Sequence, residues 1–135
     1  MATKTIIIYS PEAEARALIG AIVADLGAQV VGVESAERLL CLASELRPSL
    51  IIMLDIGPLL NGSDIVARLR RAMQESEPQR PQQRRTAIFV VTWQQSEQCV
   101  LSLLESGIDQ YLTFPISIER LRHKACQQIA GRELR

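Results

Sequence analysis

The chain has one histidine, two lysines and three cysteines among 135 residues, and each scarcity removes a class of function. His123 stands alone between Arg122 and Lys124. It has no second histidine with which to hold a metal or build a nucleophile relay, and it reads as an exposed helix residue. Cys41, Cys99 and Cys126 are odd in number and far apart, without the close pairs that zinc or dithiol sites use. They read as reduced, buried thiols of a cytoplasmic protein. No apolar run approaches the ~18 residues that a membrane-spanning helix needs, and Met1-Ala-Thr-Lys4 leads into a short strand pattern rather than a signal-peptide core. The 15 basic and 15 acidic residues cancel, so no global field favours nucleic acid or an anionic membrane. Aromatic residues are sparse, and none interleaves with Arg80, Arg84 and Arg85 in the way single-strand nucleic-acid surfaces require. No glycine-rich phosphate loop follows the first strand pattern. The expectation is a cytoplasmic, non-enzymatic protein with no cofactor and no bound metal, touching neither nucleic acid nor membrane.

What is abundant is apolar sequence in short, regularly spaced runs. Thr5 to Tyr9, Gln29 to Val33, Leu50 to Leu54, Ala87 to Val91 and Asp109 to Leu112 read as strands. Between and after them lie stripes at helical spacing: Leu18, Ile19, Ile22, Val23 and Leu26; Leu39, Leu40, Ala43 and Leu46; Ile65, Val66, Leu69 and Met73; Val100, Leu103 and Leu104; Ile118, Leu121 and Ala125. Continuous rather than alternating apolar strands imply burial on both faces, hence a parallel sheet between two helical layers. A chain of this length can bury roughly two thirds of its unfolded surface, so residues 1–135 are expected to form one α/β domain. Glu77-Pro-Gln-Arg-Pro-Gln-Gln-Arg-Arg85 has two prolines and no apolar residue, and predicts a mobile insertion at about 77–86.

In a doubly wound sheet, ligands sit beyond the carboxyl ends of the strands. The residues there are Ser10, Leu54, Thr92 and Phe114. The order of elements, with Pro48-Ser-Leu-Ile-Ile-Met-Leu-Asp-Ile-Gly-Pro58, Asn61-Gly62, Val91-Thr92 and Ser106-Gly-Ile-Asp-Gln-Tyr111 followed by Pro115, resembles the receiver domain of bacterial two-component response regulators. The resemblance covers nearly the whole chain. It implies a flavodoxin-like, CheY-like three-layer sandwich with a five-stranded parallel sheet and five helices, and in active members an aspartyl phosphate formed with Mg²⁺.

That chemistry needs carboxylates after strand one, an acceptor aspartate ending strand three, a hydroxyl ending strand four and a lysine before the proline after strand five. The carboxylates bind the metal, the aspartate attacks, and the hydroxyl and lysine hold phosphoryl oxygens. Here Ser10-Pro11 replaces the carboxylate pair and leaves Glu12 as the acidic neighbour. As structure, the segment reads as a helix start, with Ser10 as N-cap, Pro11 at the first helical position and Glu12 and Glu14 near the positive end of the dipole. Counted from Pro48, Pro58 and Gly62, the family's acceptor position falls on Leu54, and Asp55 comes one residue late. Strand side chains alternate faces, so Asp55 reaches the pocket only if the strand carries a bulge. Phe114 stands where the lysine would be, followed by Pro115. Beside Leu54, and with Trp93 after Thr92, its ring suggests an apolar plug. Thr92 and Tyr111 match the family's switch positions.

The sequence therefore reads as an atypical, phosphorylation-independent receiver acting in signal transduction through protein contacts. Two alternatives stay open: a working phosphoacceptor using Asp55, and a flavodoxin-like binder of a small ligand in the vacated pocket. The resemblance implies docking through the fourth helix, fifth strand and last helix. Val100, Leu101 and Leu104 would supply an apolar strip there, with Arg120 and Lys124 as its polar rim, for a protein partner or a homodimer.

Overall fold

A computed structural model of the chain describes residues 4–54, 59–76, 86–92, 98, 101, 104–105, 107–113 and 115–130. Five strands, β1 (Thr5–Tyr9), β2 (Gln29–Val33), β3 (Leu50–Leu54), β4 (Ala87–Thr92) and β5 (Gln110–Thr113), form one sheet in the order β2-β1-β3-β4-β5. Every pairing is parallel. The three central strands are buried along almost their whole length, as their unbroken apolar sequence predicts. Edge strand β2 is not: Gln29 and Gly32 are exposed and Val30 and Val31 half-buried, because one side of the strand has no neighbour.

The two-residue period of the strands sorts the core into two layers. Ile6 and Ile8 of β1, Leu50, Ile52 and Leu54 of β3 and Phe89 and Val91 of β4 pack with helices α1 (Ala13–Val23) and α4 (Ile118–Ala130). Ile7, Ile51, Met53, Ile88 and Val90 face the other way, onto α2 (Ala36–Leu46) and α3 (Leu59–Ser76). Four helices are thus described where five were expected. The stripe at Val100, Leu103 and Leu104 falls largely outside the described residues, although Gln98, Leu101, Leu104 and Glu105 are individually helical and exposed.

Burial departs from the predicted stripes at their margins. Leu18 is exposed because it lies about 100° around α1 from Ile19, off the buried face of Ile19, Ile22 and Val23. Leu46 and Ile118 lie on the correct faces but in terminal turns, and are exposed. Cys41 and Cys126 are exposed rather than buried, since each projects from the side of its helix opposite or oblique to the buried stripe. Cys99 lies outside the described residues, as do 77–85 of the expected insertion. Thr86 does not belong to that insertion: it is buried, and its hydroxyl donates to the Pro48 carbonyl at 2.5 Å. Helix α2 begins at Ser35, whose hydroxyl accepts the Arg38 N–H, and ends at Arg47, which takes the left-handed conformation (φ 50°) usual for glycine before Pro48.

Polar side chains tie the layers together away from the carboxyl ends of the strands. Lys4 donates to the Ile129 carbonyl in the last turn of α4, a cation placed at the negative end of a helix. Arg122 donates to the Ile22 carbonyl and forms a fork with Asp25, joining α4 to the end of α1. Its hydrogen bond holds the Asp25 carboxyl below the usual range, so this exposed pair contributes at neutral pH and fades as acid protonates Asp25. The densest node is Arg70 of α3. It donates to the Gly107 carbonyl, to the Thr86 carbonyl at 2.6 Å and to the Asp109 carboxylate at 2.8 Å. The same Asp109 oxygen accepts the Ile88 N–H while the Asp109 N–H donates to the Ile88 carbonyl, and β5 proper runs from Gln110, one residue later than predicted. Gly107 adopts φ +108°, and a Cβ there would stand 3.4 Å from the Arg70 guanidinium.

Arg70→Ala strips two carbonyls and a carboxylate of their donor at a side chain only 16% exposed. It is expected to lower unfolding free energy by about 2–4 kcal/mol, read as a drop in the urea midpoint at unchanged slope, with Arg70→Lys recovering part of it.

Candidate functional site

The candidate site is the carboxyl edge of the sheet. At the end of β1, Ser10 is buried and its N–H donates to the Val33 carbonyl, carrying the β1–β2 ladder one residue past the strand. Pro11 has no N–H to continue it. The Ser10 hydroxyl accepts the Glu12 N–H at 3.1 Å, a local turn that aims it along the backbone. Helix α1 therefore starts at Ala13 with Glu12 at the cap position, not with Ser10 as N-cap and Pro11 as its first residue. The hydroxyl that would have capped the helix is used two residues on. Glu14 does lie in the first turn.

Arg16, which the sequence reading passed over, completes this corner. Its Nη1 donates to the Ser10 carbonyl at 2.7 Å, and its Nη2 lies 3.8 Å from Oε1 of Glu34, just past β2. The side chain runs across Gly32: a Cβ on that residue would stand 3.4 Å from the Arg16 Cδ. The available signal was a small residue on an edge strand facing a long cation one turn into α1. Nothing in local periodicity marks it, because the contact joins three elements.

A Mg²⁺ ion, which the resemblance implies for active members, does not fit this corner. Ser10 and Pro11 bring no carboxylate, the serine hydroxyl is occupied by a backbone N–H, Glu12 is exposed, and a guanidinium already holds the serine carbonyl. Among the described residues no group of three or more His, Cys, Asp or Glu is placed to hold a metal.

The ends of the central strands are apolar or buried. Leu54 is 3% exposed, pairs in register with Val91, and belongs to the cluster containing Leu112, Leu121 and Ala125. The β3–β4 register runs without interruption from Leu50 to Leu54. Thr92 is fully buried opposite Thr113 in the β4–β5 register. Tyr111 packs its ring against the layer of α2 and α3, with its hydroxyl buried. Pro115 is exposed. Asp55, Trp93 and Phe114 lie outside the described residues, and so does Val100 of the expected docking face. Of that face, Leu101 is 57% and Leu104 46% exposed, Arg120 is exposed near the start of α4, and Lys124 is half-buried.

No protein-family model matches the chain, and no curated protein sequence matches it. Solved structures do. A two-component response regulator from Clostridium difficile superposes with a TM-score of 0.78 at 18% identity, covering 95% of this chain and 97% of its own. The chemotaxis protein CheY4 of Vibrio cholerae gives 0.74 at 21% identity, covering 95% and 99%. An orphan response regulator of H. pylori gives 0.74 at 16%, covering 93% and 96%. The fold is accordingly the flavodoxin-like fold of CheY-like receiver domains. Likeness at these identities concerns the fold alone.

The burial of Leu54 gives a direct test. Leu54→Asp sets a carboxylate in an apolar cluster, and is expected to lower stability by about 3–5 kcal/mol at neutral pH, with partial recovery in acid as the group protonates. It should not by itself confer phosphorylation with Mg²⁺ and acetyl phosphate. Labelling that appears only after Ser10→Asp, Pro11→Asp and Phe114→Lys are added is the expected pattern.

Proposed function

We propose that the chain is an atypical receiver module of signal transduction that works through protein contacts without forming an aspartyl phosphate. The observation that carries this reading is Leu54, sealed in the core at the position where the family pattern puts the phosphoacceptor. A phosphoryl acceptor must present an ionised oxygen to solvent and metal, and a buried leucine can do neither. The occupied hydroxyl of Ser10 and the two lysines, Lys4 bound to the Ile129 carbonyl and Lys124 on α4, support the reading from the other components of the chemistry. Fold likeness to response regulators supports signalling as the broad role. Among the described residues no helix is long and apolar enough to cross a membrane.

A module that does not switch by phosphate acts through a surface already formed. The surface proposed is that of Leu101 and Leu104, β5 and the Arg120 and Lys124 side of α4. Exposed Leu101 and Leu104 would supply its apolar centre, and Arg120 and Lys124 of α4 its charged rim, the composition of a modest interface.

Two measurements test the halves of this reading. Incubation with acetyl phosphate and Mg²⁺ should give no phosphoryl mass gain by intact-mass spectrometry. A hydroxylamine-sensitive gain that disappears in Asp55→Asn would instead establish the phosphoacceptor alternative. For the surface, wild type should sediment as a dimer, or hold its partner, without any phosphodonor, and Leu101→Asp should weaken that association at least tenfold by burying an unpaired charge. A wild type monomeric at all concentrations, with partner binding unaffected by the substitution, would refute the assignment.

A further inference from the structure

We infer that Arg70 is a positioning residue for the surface that carries Leu101 and Leu104. Its guanidinium fixes the point at which the chain passes from those exposed leucines into the sheet, so association through them depends on a side chain of α3 that is itself mostly buried. The inference deepens the proposed reading and rests on it for the use of that surface, though not for how the leucines are held.

Leu104 and Glu105 are helical and exposed, Gly107 is half-buried, and Ile108 is buried in the layer of α2 and α3. Gly107 therefore stands where the chain leaves the surface. Its N–H donates back to the Leu104 carbonyl at 3.2 Å, and its positive φ lets the chain turn away from the helical residues, as a glycine at a helix end does. Its carbonyl accepts two N–H groups of Arg70, from Nε at 3.1 Å and from Nη2 at 2.7 Å. A carbonyl gripped by two donors of one rigid plane is fixed in direction as well as in place. The remaining contacts of the same guanidinium are to the sheet. Nη1 donates to the carbonyl of Thr86, just before β4, and Nη2 meets the Asp109 carboxylate, which also accepts the Ile88 N–H. The Asp109 N–H returns a bond to the Ile88 carbonyl at 2.7 Å, and Ile88 is wholly buried. One planar cation thus brackets the end of the leucine-bearing turn to the core of the sheet. Interface residues held in place before association have less conformational freedom to lose on binding, and the bracket supplies that order.

The test compares wild type with Arg70→Lys and with Ile51→Val, a core truncation expected to lower the thermal midpoint by a similar amount, about 3–6 °C, without touching the bracket. Lysine keeps a positive charge near Asp109 but offers a single point of donation where Gly107, Thr86 and Asp109 are met by a planar fork. Below the unfolding transition, the Gly107 amide of Arg70→Lys is expected to exchange about tenfold faster than that of Ile51→Val, the equivalent of one charged hydrogen bond. The methyl order parameters of Leu101 and Leu104 should fall in Arg70→Lys and keep their wild-type values in Ile51→Val. By sedimentation, the dimer of Arg70→Lys should dissociate about fivefold more readily than that of wild type, with Ile51→Val unchanged within about twofold. A merely structural arginine would alter stability alone, so exchange and leucine methyls in Arg70→Lys that match those of Ile51→Val overturn the inference. So does a loosened turn whose dimer is as tight as that of wild type. A wild type that stays monomeric at every concentration counts against the proposed surface alone, and the exchange and methyl readouts then decide the inference by themselves.

Discussion

The constraint on which the rest depends is the burial of β1, β3 and β4 on both faces. Ile6, Ile7, Ile8, Leu50, Ile51, Ile52 and Ile88 are almost wholly removed from water, and none can leave its place without uncovering one helical layer or the other. At about 25 cal/mol per Å² of apolar surface, this is the largest favourable term in the molecule. It also sets what the ends of those strands can be. Apolar burial continues through Leu54 to the end of β3, so the last residue of that strand belongs to the core.

Polar side chains then divide the labour between the two ends of the sheet. At the amino ends, Arg70, Asp109 and Thr86 satisfy carbonyls and amides that would otherwise be orphaned where α3 meets the approaches to β4 and β5. These contacts are short and partly buried, and they position strands rather than ligands. At the carboxyl ends, Arg16 and Ser10 perform similar work at the mouth of the site. The Arg16 guanidinium holds the Ser10 carbonyl and the Ser10 hydroxyl accepts the Glu12 N–H, so this corner is stitched to its own backbone. Both networks depend on a glycine. Gly107 supplies a positive φ before β5, and Gly32 gives the Arg16 stem room to cross the edge strand.

The exposed leucines pose a different question, because the fold does not require them. Leu101 and Leu104 uncover apolar surface that the two core layers do not use. Leu18 and Ile118 are exposed as well, each beside charged or small residues, and single exposures of that kind are common on monomers.

The sequence by itself determined the strand positions, nearly to the residue, because both-face burial leaves an unmistakable apolar run at Thr5–Tyr9, Leu50–Leu54 and Ala87–Thr92. It determined the α/β class and the sites of Ser10, Leu54 and Thr92 at the strand ends, since a parallel sheet puts all those ends on one side. Its errors share one cause. Periodicity describes a helix or strand alone, so it could not see that Ser10 caps a turn instead of the helix, that Leu18 and the cysteines Cys41 and Cys126 face outward, or that Asp109 meets Ile88 through both its amide and its carboxylate. Only the tertiary structure decided those matters, together with the whole role of Arg16. Each is a contact between segments far apart in the chain, and a side chain's partner across an interface is set by the packing of layers rather than by its neighbours in sequence.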